Sequence, residues 1–561
     1  MIEPRKSVQA LAPYQPPLEG RRGLVRLDFN ENTSGFPAMS EPLPVELLAA
    51  YPEYEEFLEH LSKSWEIPRE NMMLTNGTGE ALFVASFTFI EPGMDTALTS
   101  RPTFALIPHN LNLVGANLAE VPVTAGLEFD IPGIETVLNA GVKLAIFASP
   151  DNPTGAVLEP ETVHKWCGQY PETLFLIDEA YAQYHEKTVM PYALQKSNLL
   201  IIRTFSKAWG MAGLRLGVVI GNPELLSYMR RVRSPYSVNC AAILTAARLL
   251  ERSEEVAGAA RATMERKQTF IEEVEKRGFQ THAGNANFFL LKVGLDAPAL
   301  CDFCRERGVL LRDRSFMPAV EGMVRITVGT QKENKRLLEC LDAFRESRAI
   351  IFDLDDTLVD TSRSYNVTVA KLIEKYSDKP LEDSELKHLR AEGGFNDEWD
   401  AALELLRRRG NDVPRDEIER EGKKIYLSLA RENEKLLIDV EDLRKLAKRY
   451  RLFIATGRPR DEYEPVWAQV FDPLVETVCC KDDMPGAKPK PAPDVLLALM
   501  RNHGITGGYY VGNNVDDVQA AGGAGLTPIA VATTQDAGTL AAAGAGIVIE
   551  EPSLVRKVFM L

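Results

Sequence analysis

The chain has 561 residues, of which 45% are hydrophobic and 26% charged, and carries a net charge of −16. That length implies roughly three to four compact units, in a composition typical of soluble globular proteins. The acidic excess disfavours nucleic acid as a partner, and no apolar run reaches membrane-spanning length.

The start, Met1-Ile2-Glu3-Pro4-Arg5-Lys6, leads into polar, proline-rich sequence without the pattern of a signal peptide. The cytoplasm is therefore the expected compartment. The sequence contains no repeat and no low-complexity tract.

Asn76-Gly77-Thr78-Gly79-Glu80 precedes a helical segment, so the backbone N–H groups of Gly77, Thr78 and Gly79 can hold a phosphate at a helix N-terminus. Phe104, in Pro102-Thr103-Phe104, offers an aromatic face. Three short apolar runs come next, Leu144–Ala148, Leu174–Asp178 and Leu199–Arg203, each ending in polar or glycine-rich sequence. Such runs predict buried strands of a mostly parallel sheet with helices on both faces. Ligands gather at the carboxyl ends of strands in such sheets, where Asn152, Asp178, Tyr181 and Lys207 all fall.

Thr204-Phe205-Ser206-Lys207-Ala208-Trp209-Gly210-Met211-Ala212-Gly213-Leu214-Arg215 sets one lysine among hydroxyls, glycines and an arginine. This arrangement suits pyridoxal 5′-phosphate (PLP) held as a Schiff base on Lys207, with Thr204, Ser206 and Arg215 neutralising the phosphate. Asp178 can pair with the pyridinium nitrogen, Tyr181 and Asn152 can donate to the ring 3-oxygen, and Phe104 can cover the ring.

Residues 252–277 and 331–347 have a charged, helical pattern. Cys301-Asp302-Phe303-Cys304 is a lone CxxC among seven scattered cysteines, and reads as two reduced thiols on a helix in preference to a zinc or redox site. The second helical segment runs almost directly into the strand-like Ala349-Ile350-Ile351-Phe352 with no Gly/Ser or proline-rich linker, which predicts a stiff junction.

Asp353-Leu354-Asp355-Asp356-Thr357 follows that strand, and places two carboxylates two residues apart at its carboxyl end. An aspartate nucleophile with a neighbouring acid/base is one chemistry such a pair supports, provided Mg²⁺ offsets the negative charge. Residues 363–447 are strongly helical, after which Arg451–Ala455 and Tyr509–Val511 resume the α/β pattern. A helical cap inserted into a Rossmann-like core is the expected result.

Residues 1–345 resemble fold-type I aminotransferases, and among them the histidinol-phosphate aminotransferase family. The matches are Asp28-Phe29-Asn30-Glu31-Asn32, Tyr51-Pro52, Asn76–Glu80, Arg203–Lys207 and Val324-Arg325-Ile326-Thr327-Val328-Gly329, with Pro13-Tyr14 like the family's N-terminal arm. The resemblance implies a homodimer in which Tyr51 reaches the partner's PLP phosphate. It also implies that Tyr14, Asn32 and Arg325 contact the substrate, the arginine taking a carboxylate or phosphate. Gly79 stands where the family usually has an acidic residue. The expected large part covers about 45–240, and the small part comprises the N-terminal arm and about 241–345. A related family on the same scaffold decarboxylates threonine phosphate, and that alternative stays open.

Residues 349–561 resemble the haloacid dehalogenase superfamily, on Asp353–Thr357, Ala455-Thr456-Gly457-Arg458, Lys488-Pro489-Lys490-Pro491 and Val511-Gly512-Asn513-Asn514-Val515-Asp516-Asp517. The resemblance implies Asp353 as nucleophile, Asp355 as acid/base, Thr456 and a lysine as phosphoryl ligands, and Mg²⁺ held by Asp353, Asp355, Asn513, Asp516 and Asp517. The motif lysine is Lys488 or Lys490, with Lys488 favoured because it follows a small residue. Asn513 replaces the usual aspartate, which leaves open an active phosphatase or an inert structural module. In the cap, Gly393-Gly394-Phe395-Asn396-Asp397-Glu398-Trp399 either contacts the leaving group or is an ordinary helix start. The expected fold class is α/β throughout: a PLP-dependent transferase fold with a small domain, then a Rossmann-like haloacid dehalogenase core with a helical cap. The expected function is bifunctional, joining transamination of histidinol phosphate or a similar phosphorylated amino compound to Mg²⁺-dependent phosphomonoester hydrolysis.

Overall fold

The structure, a computed structural model, describes residues 3–36, 43–391 and 398–561. The chain divides into two compact units, Met1–Cys340 and Leu341–Leu561.

The first unit is built on a seven-stranded sheet: β1 (Met72–Thr75), β2 (Thr96–Arg101), β3 (Asn117–Pro122), β4 (Leu144–Ala148), β5 (Leu174–Asp178), β6 (Leu199–Thr204) and β7 (Gly217–Gly221). Their spatial order is β1-β7-β6-β5-β4-β2-β3. All neighbours run parallel except β7, which is antiparallel to both β1 and β6. The central strands β4, β5 and β6 are buried along their whole length. Alternate residues feed two cores. Ala145, Phe147, Phe175, Ile177, Leu199 and Ile201 pack on one face, and Leu144, Ile146, Leu174, Leu176, Leu200 and Ile202 on the other. The two-residue period of a strand covered on both sides produces this division.

A smaller antiparallel sheet carries β8 (Gln280–Ala286), β9 (Phe288–Lys292), β10 (Arg312–Asp313) and β11 (Met323–Thr327) in the order β10-β11-β9-β8. Val25–Arg26 of the N-terminal segment pairs in parallel with Val309–Leu310. Helix Cys240–Leu250 and the first half of the long helix Ser253–Lys276 bury Ala242, Leu249, Val256 and Ala260 in the core of the large sheet. These two helices, beyond the expected end of the large part at about 240, thus pack on the large sheet. Cys301 and Cys304 lie on helix Ala297–Glu306 and are free thiols.

The second unit holds a six-stranded parallel sheet: β12 (Arg348–Phe352), β13 (Arg451–Ala455), β14 (Thr477–Cys479), β15 (Gly507–Gly512), β16 (Thr527–Val531) and β17 (Ile547–Ile549). The order is β14-β13-β12-β15-β16-β17, so the strand bearing the paired aspartates lies inside the sheet. Between β12 and β13 the chain forms α1 (Tyr365–Ser377), α2 (Asp383–Ala391), α3 (Glu398–Arg408) and α4 (Arg415–Asn433). These four helices bury a core of their own around Leu372, Trp399, Leu406 and Tyr426. The next helix, α5 (Val440–Arg449), places Leu443 and Leu446 in the core of the sheet instead. The helical insertion thus closes near Asn433, short of the expected residue 447, because α5 covers the Rossmann-like sheet. Among the described residues, no helix is long and apolar enough to cross a membrane.

Candidate active sites

Lys207 sits in the turn that follows β6. Its Nζ donates to the Phe29 carbonyl at 2.8 Å and lies 5.5 Å from the centroid of the Tyr181 ring. The amine is thus held by a neutral acceptor. The Tyr181 hydroxyl accepts from Asn30 Nδ2 at 2.9 Å, and its ring meets Phe288 edge-on at 5.3 Å. Asn30 is itself fixed by Thr327, whose hydroxyl accepts from the Asn30 N–H and donates to its side-chain oxygen. The sequence motif contained Asn30 without assigning it this task.

Asp178 ends β5 and is buried, which pushes its carboxyl up to about 7, against the Ala180 N–H and the nearby Lys207 charge. Asn152 is also buried, and its Oδ1 accepts from Arg325 Nη1 at 2.5 Å. Phe104, half-buried, follows β2.

On the phosphate side, Gly77 opens the helix Gly77–Phe89 with a φ of +72°. A Cβ there would fall 2.5 Å from Arg215 Nη2, so the close approach of the guanidinium requires glycine. Arg215 has a φ of +59°, and its Nη1 lies 3.5 Å from Ser206 Oγ and 3.2 Å from the Ala212 carbonyl. The first N–H groups of the helix, those of Gly77, Thr78 and Gly79, have no intrahelical acceptor. A Cβ at Gly79 would meet only Leu106 Cδ1, at 3.5 Å, so the missing acidic residue is not a steric demand. Glu80 occupies the helix entrance instead, accepting from the Asn76 N–H at 2.6 Å.

The Thr204 hydroxyl donates to the Leu216 carbonyl at 3.3 Å and accepts from the Ser206 N–H at 3.1 Å, so it shapes the lysine turn.

Three arginines gather where the small sheet meets this cleft. Arg325 on β11 is paired in register with Arg312 on β10, and Arg314 follows two residues later. Like charges in direct cross-strand register oppose each other. Arg325 is buried and donates to the Asp28 carbonyl, but its Nε has no partner, and neither do the Nε atoms of Arg312 and Arg314. Burial, with Arg325 and Arg312 adding, pulls Arg314 down to about 8, while burial pulls Arg325 down to about 10. Asp28, which acts on Arg325, and Glu31 are both paired with Arg21 at 2.7 Å, and Asp313, between Arg312 and Arg314, accepts from the Ser315 N–H. Tyr14 lies close enough to act electrostatically on Arg314 and Arg325. Asn32 Nδ2 donates to the Ala208 carbonyl, which braces the lysine turn. Tyr51 is not brought to this cleft. It is 76% exposed and stacks on Tyr236, with centroids 4.5 Å apart.

These residues fit PLP. The glycine-lined helix start with Arg215 and Ser206 suits the phosphate, buried Asp178 suits the ring nitrogen, and Lys207 has an amine able to react. The unpartnered guanidinium nitrogens suit an anionic substrate.

In the second unit Asp353 follows β12, buried, and its Oδ1 accepts from Lys490 Nζ at 2.6 Å. Lys490 also donates to Asp517 Oδ1 at 2.7 Å and to the Tyr510 hydroxyl at 2.9 Å. Burial pulls this ammonium down, but Asp353 and Asp517 outweigh it and hold its pKa well above the ordinary value. Lys488 is exposed, and its N–H donates to Asp494. Lys490, and not the favoured Lys488, is the lysine brought to Asp353 and Asp517. Lys488 instead lines, with Thr456 and Lys490, a cavity of about 490 Å³ beside the centre.

Asp517 is buried; its Oδ1 accepts from Lys490 and lies 3.3 Å from the Tyr510 hydroxyl, and Oδ2 accepts from the N–H groups of Asn513 and Asn514. It thereby anchors the loop and Lys490. A Cβ at Gly512 would lie 2.5 Å from Asp517 Cβ, so this contact also needs glycine. Asn513 is buried, with Nδ2 donating to Thr534 Oγ1 at 3.1 Å, and Asp516 is half-buried in the first turn of the next helix.

The donors here suit Mg²⁺, which needs only one or two carboxylates beside substrate oxygens. Asp353, the Asp355 carbonyl and Asn513 supply one carboxylate and two neutral oxygens. Burial pushes the Asp353 carboxyl up to about 7, with Lys490 opposing and Asp517 and Asp355 adding, so a further cation is electrostatically favoured there. No group of three His, Cys, Asp or Glu side chains able to hold a metal occurs among the described residues.

Asp355 is the less buried of the pair, and meets Thr456 Oγ1 at 3.5 Å. It also forms an ion pair with Arg458, a residue of the Thr456 motif to which the sequence assigned no task. Of the cap loop, residues 393–397 lie outside the described residues. Trp399 is buried in the core of the insertion, where a Cβ on Gly422 would strike its ring, and it lies at a helix start, the plainer of the two expectations.

Known proteins agree with this division. Residues 45–341 match the family "Aminotransferase class I and II", and residues 347–525 match "haloacid dehalogenase-like hydrolase". A histidinol-phosphate aminotransferase of Symbiobacterium thermophilum is 32% identical over 365 residues, covering 61% of this chain and 99% of its own. The crystal structure of histidinol-phosphate aminotransferase from Sinorhizobium meliloti in complex with pyridoxal-5′-phosphate superposes with a TM-score of 0.54 at 22% identity, over 60% of this chain and 95% of that one. L-threonine-O-3-phosphate decarboxylase from Porphyromonas gingivalis has the same fold, with a TM-score of 0.51 at 21% identity, over 57% and 99% of the two chains. The chain belongs to the class I and II aminotransferases, and carries a haloacid dehalogenase-like hydrolase domain after that region.

Proposed function

We propose that the first unit transaminates histidinol phosphate or a closely similar phosphorylated amino compound, and that the second hydrolyses a related phosphomonoester. The observation that carries the first half is the group Arg312, Arg314 and Arg325, with no carboxylate ion pair among the described residues, in the same cleft as Lys207 and Asp178. A substrate with a phosphate or carboxylate end would relieve both the cross-strand repulsion and the unpartnered guanidinium nitrogens.

Bound PLP supplies an electron sink that makes the proton on the substrate's Cα labile. Lys207 would act as the base that takes this proton, with the Phe29 carbonyl placed to hold its Nζ. Asp178 would pair with the cofactor's ring nitrogen. Arg325 orients the anionic end while Asn152 steadies its guanidinium. Tyr51, exposed on its own unit, would complete the site of a second copy in a homodimer. Both substrates are small molecules, and the cytoplasm remains the proposed compartment.

In the second unit Asp353 would attack phosphorus while Asp355 protonates the departing oxygen. Asp355 would then deprotonate the water that cleaves the aspartyl phosphate. Thr456 and Lys490 bind phosphoryl oxygens, and Mg²⁺ held by Asp353, the Asp355 carbonyl and Asn513 would offset charge. Asn513, which lacks the charge of the usual aspartate, favours one alternative, a module whose weak metal site makes it inert.

The test is a screen of phosphorylated amino compounds, histidinol phosphate first, reading keto-acid conversion and phosphate release in one reaction. Lys207→Ala should lose the first signal and keep the second, and Asp353→Asn should do the reverse. CO₂ release without a keto-acid acceptor would favour the decarboxylase reading. Absence of Mg²⁺-dependent phosphate release from any ester would favour the inert module.

A further inference from the structure

We propose that Arg458 is a positioning residue through which the helical insertion sets the carboxylate of Asp355. The inference rests on the phosphatase reading above, and adds to it a residue that does not touch the reacting atoms.

Arg458 follows Thr456 by two residues, and its N–H donates to the Thr456 hydroxyl at 3.0 Å. Its side chain is fully buried. One end of the guanidinium is ion-paired to Asp355. The other meets Glu434 at 3.1 Å and the Tyr426 hydroxyl. Tyr426 lies on α4, and Glu434 is the residue after its last turn, where the chain leaves the insertion. At the entry point, Ser364 Oγ donates to the same Glu434 at 2.7 Å, and Tyr365 stacks on Tyr426 with centroids 4.3 Å apart. From the core, Trp467 Nε1 donates to Glu434 Oε2 at 2.6 Å.

Both chain crossings between insertion and core therefore converge on one carboxylate, and that carboxylate holds the arginine that holds Asp355. A buried guanidinium is tolerable only with its partners in place. Moving α4 or the crossings relative to the core must then move the guanidinium, and with it Asp355. General acid work demands that Asp355 lie within hydrogen-bond reach of the departing oxygen, so this chain of contacts controls the geometry of that proton transfer.

The experiment compares two esters in the full-length protein with saturating Mg²⁺. p-Nitrophenyl phosphate expels a good leaving group that needs little protonation, whereas an alkyl phosphate needs Asp355 to donate its proton as the P–O bond breaks and the Asp353–phosphorus bond forms. The ratio kcat/KM reports the step in which the leaving group departs. Arg458→Lys and Arg458→Met should lower it for the alkyl ester by on the order of tenfold more than for the aryl ester, within the usual range for general acid loss. Glu434→Gln and Tyr426→Phe, which keep the arginine and loosen its anchor, should give the same split in smaller degree, and serve if the Arg458 variants fail to fold. On an Asp355→Asn background the Arg458 substitutions should add little. Equal losses for both esters, or additive losses on that background, would overturn the proposal. If the unaltered protein releases phosphate from neither ester, the phosphatase reading falls and this inference falls with it. That result is distinguishable, because it precedes any variant.

Discussion

Lys490 carries the sharpest consequence of the second site. Its Nζ touches Asp353, Asp517 and Tyr510 at 2.6 to 2.9 Å, and both carboxylates are buried. Lys490→Met would keep the apolar stem and remove the ammonium, which leaves two acids facing each other. Breaking a buried pair from one side costs about 3–5 kcal/mol. Lys490 is 22% exposed, so the lower end applies, about 3 kcal/mol. Expressed in the transition state, where Lys490 would also meet the phosphoryl oxygens, that is a loss of about 10²-fold.

Lys488→Ala, at an exposed position, should stay within about 0.5 kcal/mol of the parent in stability. The assay is Mg²⁺-dependent hydrolysis of p-nitrophenyl phosphate, with calorimetry to follow the melting of the second unit. If Lys488→Ala abolished hydrolysis while Lys490→Met retained more than half, the assignment of the motif lysine from this geometry would be wrong.

Asn513→Asp should lower the Mg²⁺ concentration for half-activity by on the order of tenfold, since ligand charge sets affinity in such sites. It should also lower the melting temperature of that unit in chelator, and an unchanged Mg²⁺ dependence would show that residue 513 is not a ligand. Gly77→Ala places a Cβ at a φ of +72° and 2.5 Å from Arg215, so PLP affinity, read by absorbance titration, should fall well below that of Gly79→Asp. Equal affinities for the two variants would count against the phosphate cup. Lys267, buried and donating to the carbonyls of Gly284 and Ala286, has its ammonium pulled down to about 7 by burial. Above that pH the folded state has lost a proton that the unfolded chain keeps up to its own value near 10.4, so stability should rise with pH across the window, by about 1.4 kcal/mol per unit. The melting temperature of the parent minus that of Lys267→Met should therefore increase from pH 7 to 9, and a flat difference would mean that Lys267 is charged in the folded protein.

Much of this architecture was legible in the sequence because it is local. Runs such as Leu144–Ala148 and Leu174–Asp178 are apolar almost throughout, which only a strand covered on both faces requires, and the catalytic residues lie at or just beyond their ends. What escaped depended on contacts across the fold. The apolar face of α5 predicts burial but not against what, and it packs on the sheet and not on the insertion. KPxP can be read in two frames, and the choice between them is made by Asp353 and Asp517, far away in sequence. Arg458 and Glu434 belong to no common motif, since their pairing exists only because the insertion returns to the core at that point.

The two sites also treat charge in opposite ways, and this bears on what each can bind. In the first unit Arg312, Arg314 and Arg325 form no ion pair with an acid among the described residues while Arg21 takes both Asp28 and Glu31, so the site holds positive charge in reserve inside a chain whose net charge is −16. An anion entering there replaces repulsion with ion pairing and needs no rearrangement of existing pairs. In the second unit the acids are already engaged, Asp353 and Asp517 sharing the single charge of Lys490 and Asp355 paired with Arg458. A phosphate arriving there must share Lys490 with two carboxylates, and its own charge adds to theirs. Weak ground-state binding with dependence on an added divalent cation is the consequence for the second unit, and tight anion binding without one for the first. Inhibition by inorganic phosphate should therefore be insensitive to chelator in the transaminase assay and require Mg²⁺ in the phosphatase assay, and the opposite pattern would contradict this distribution of charge.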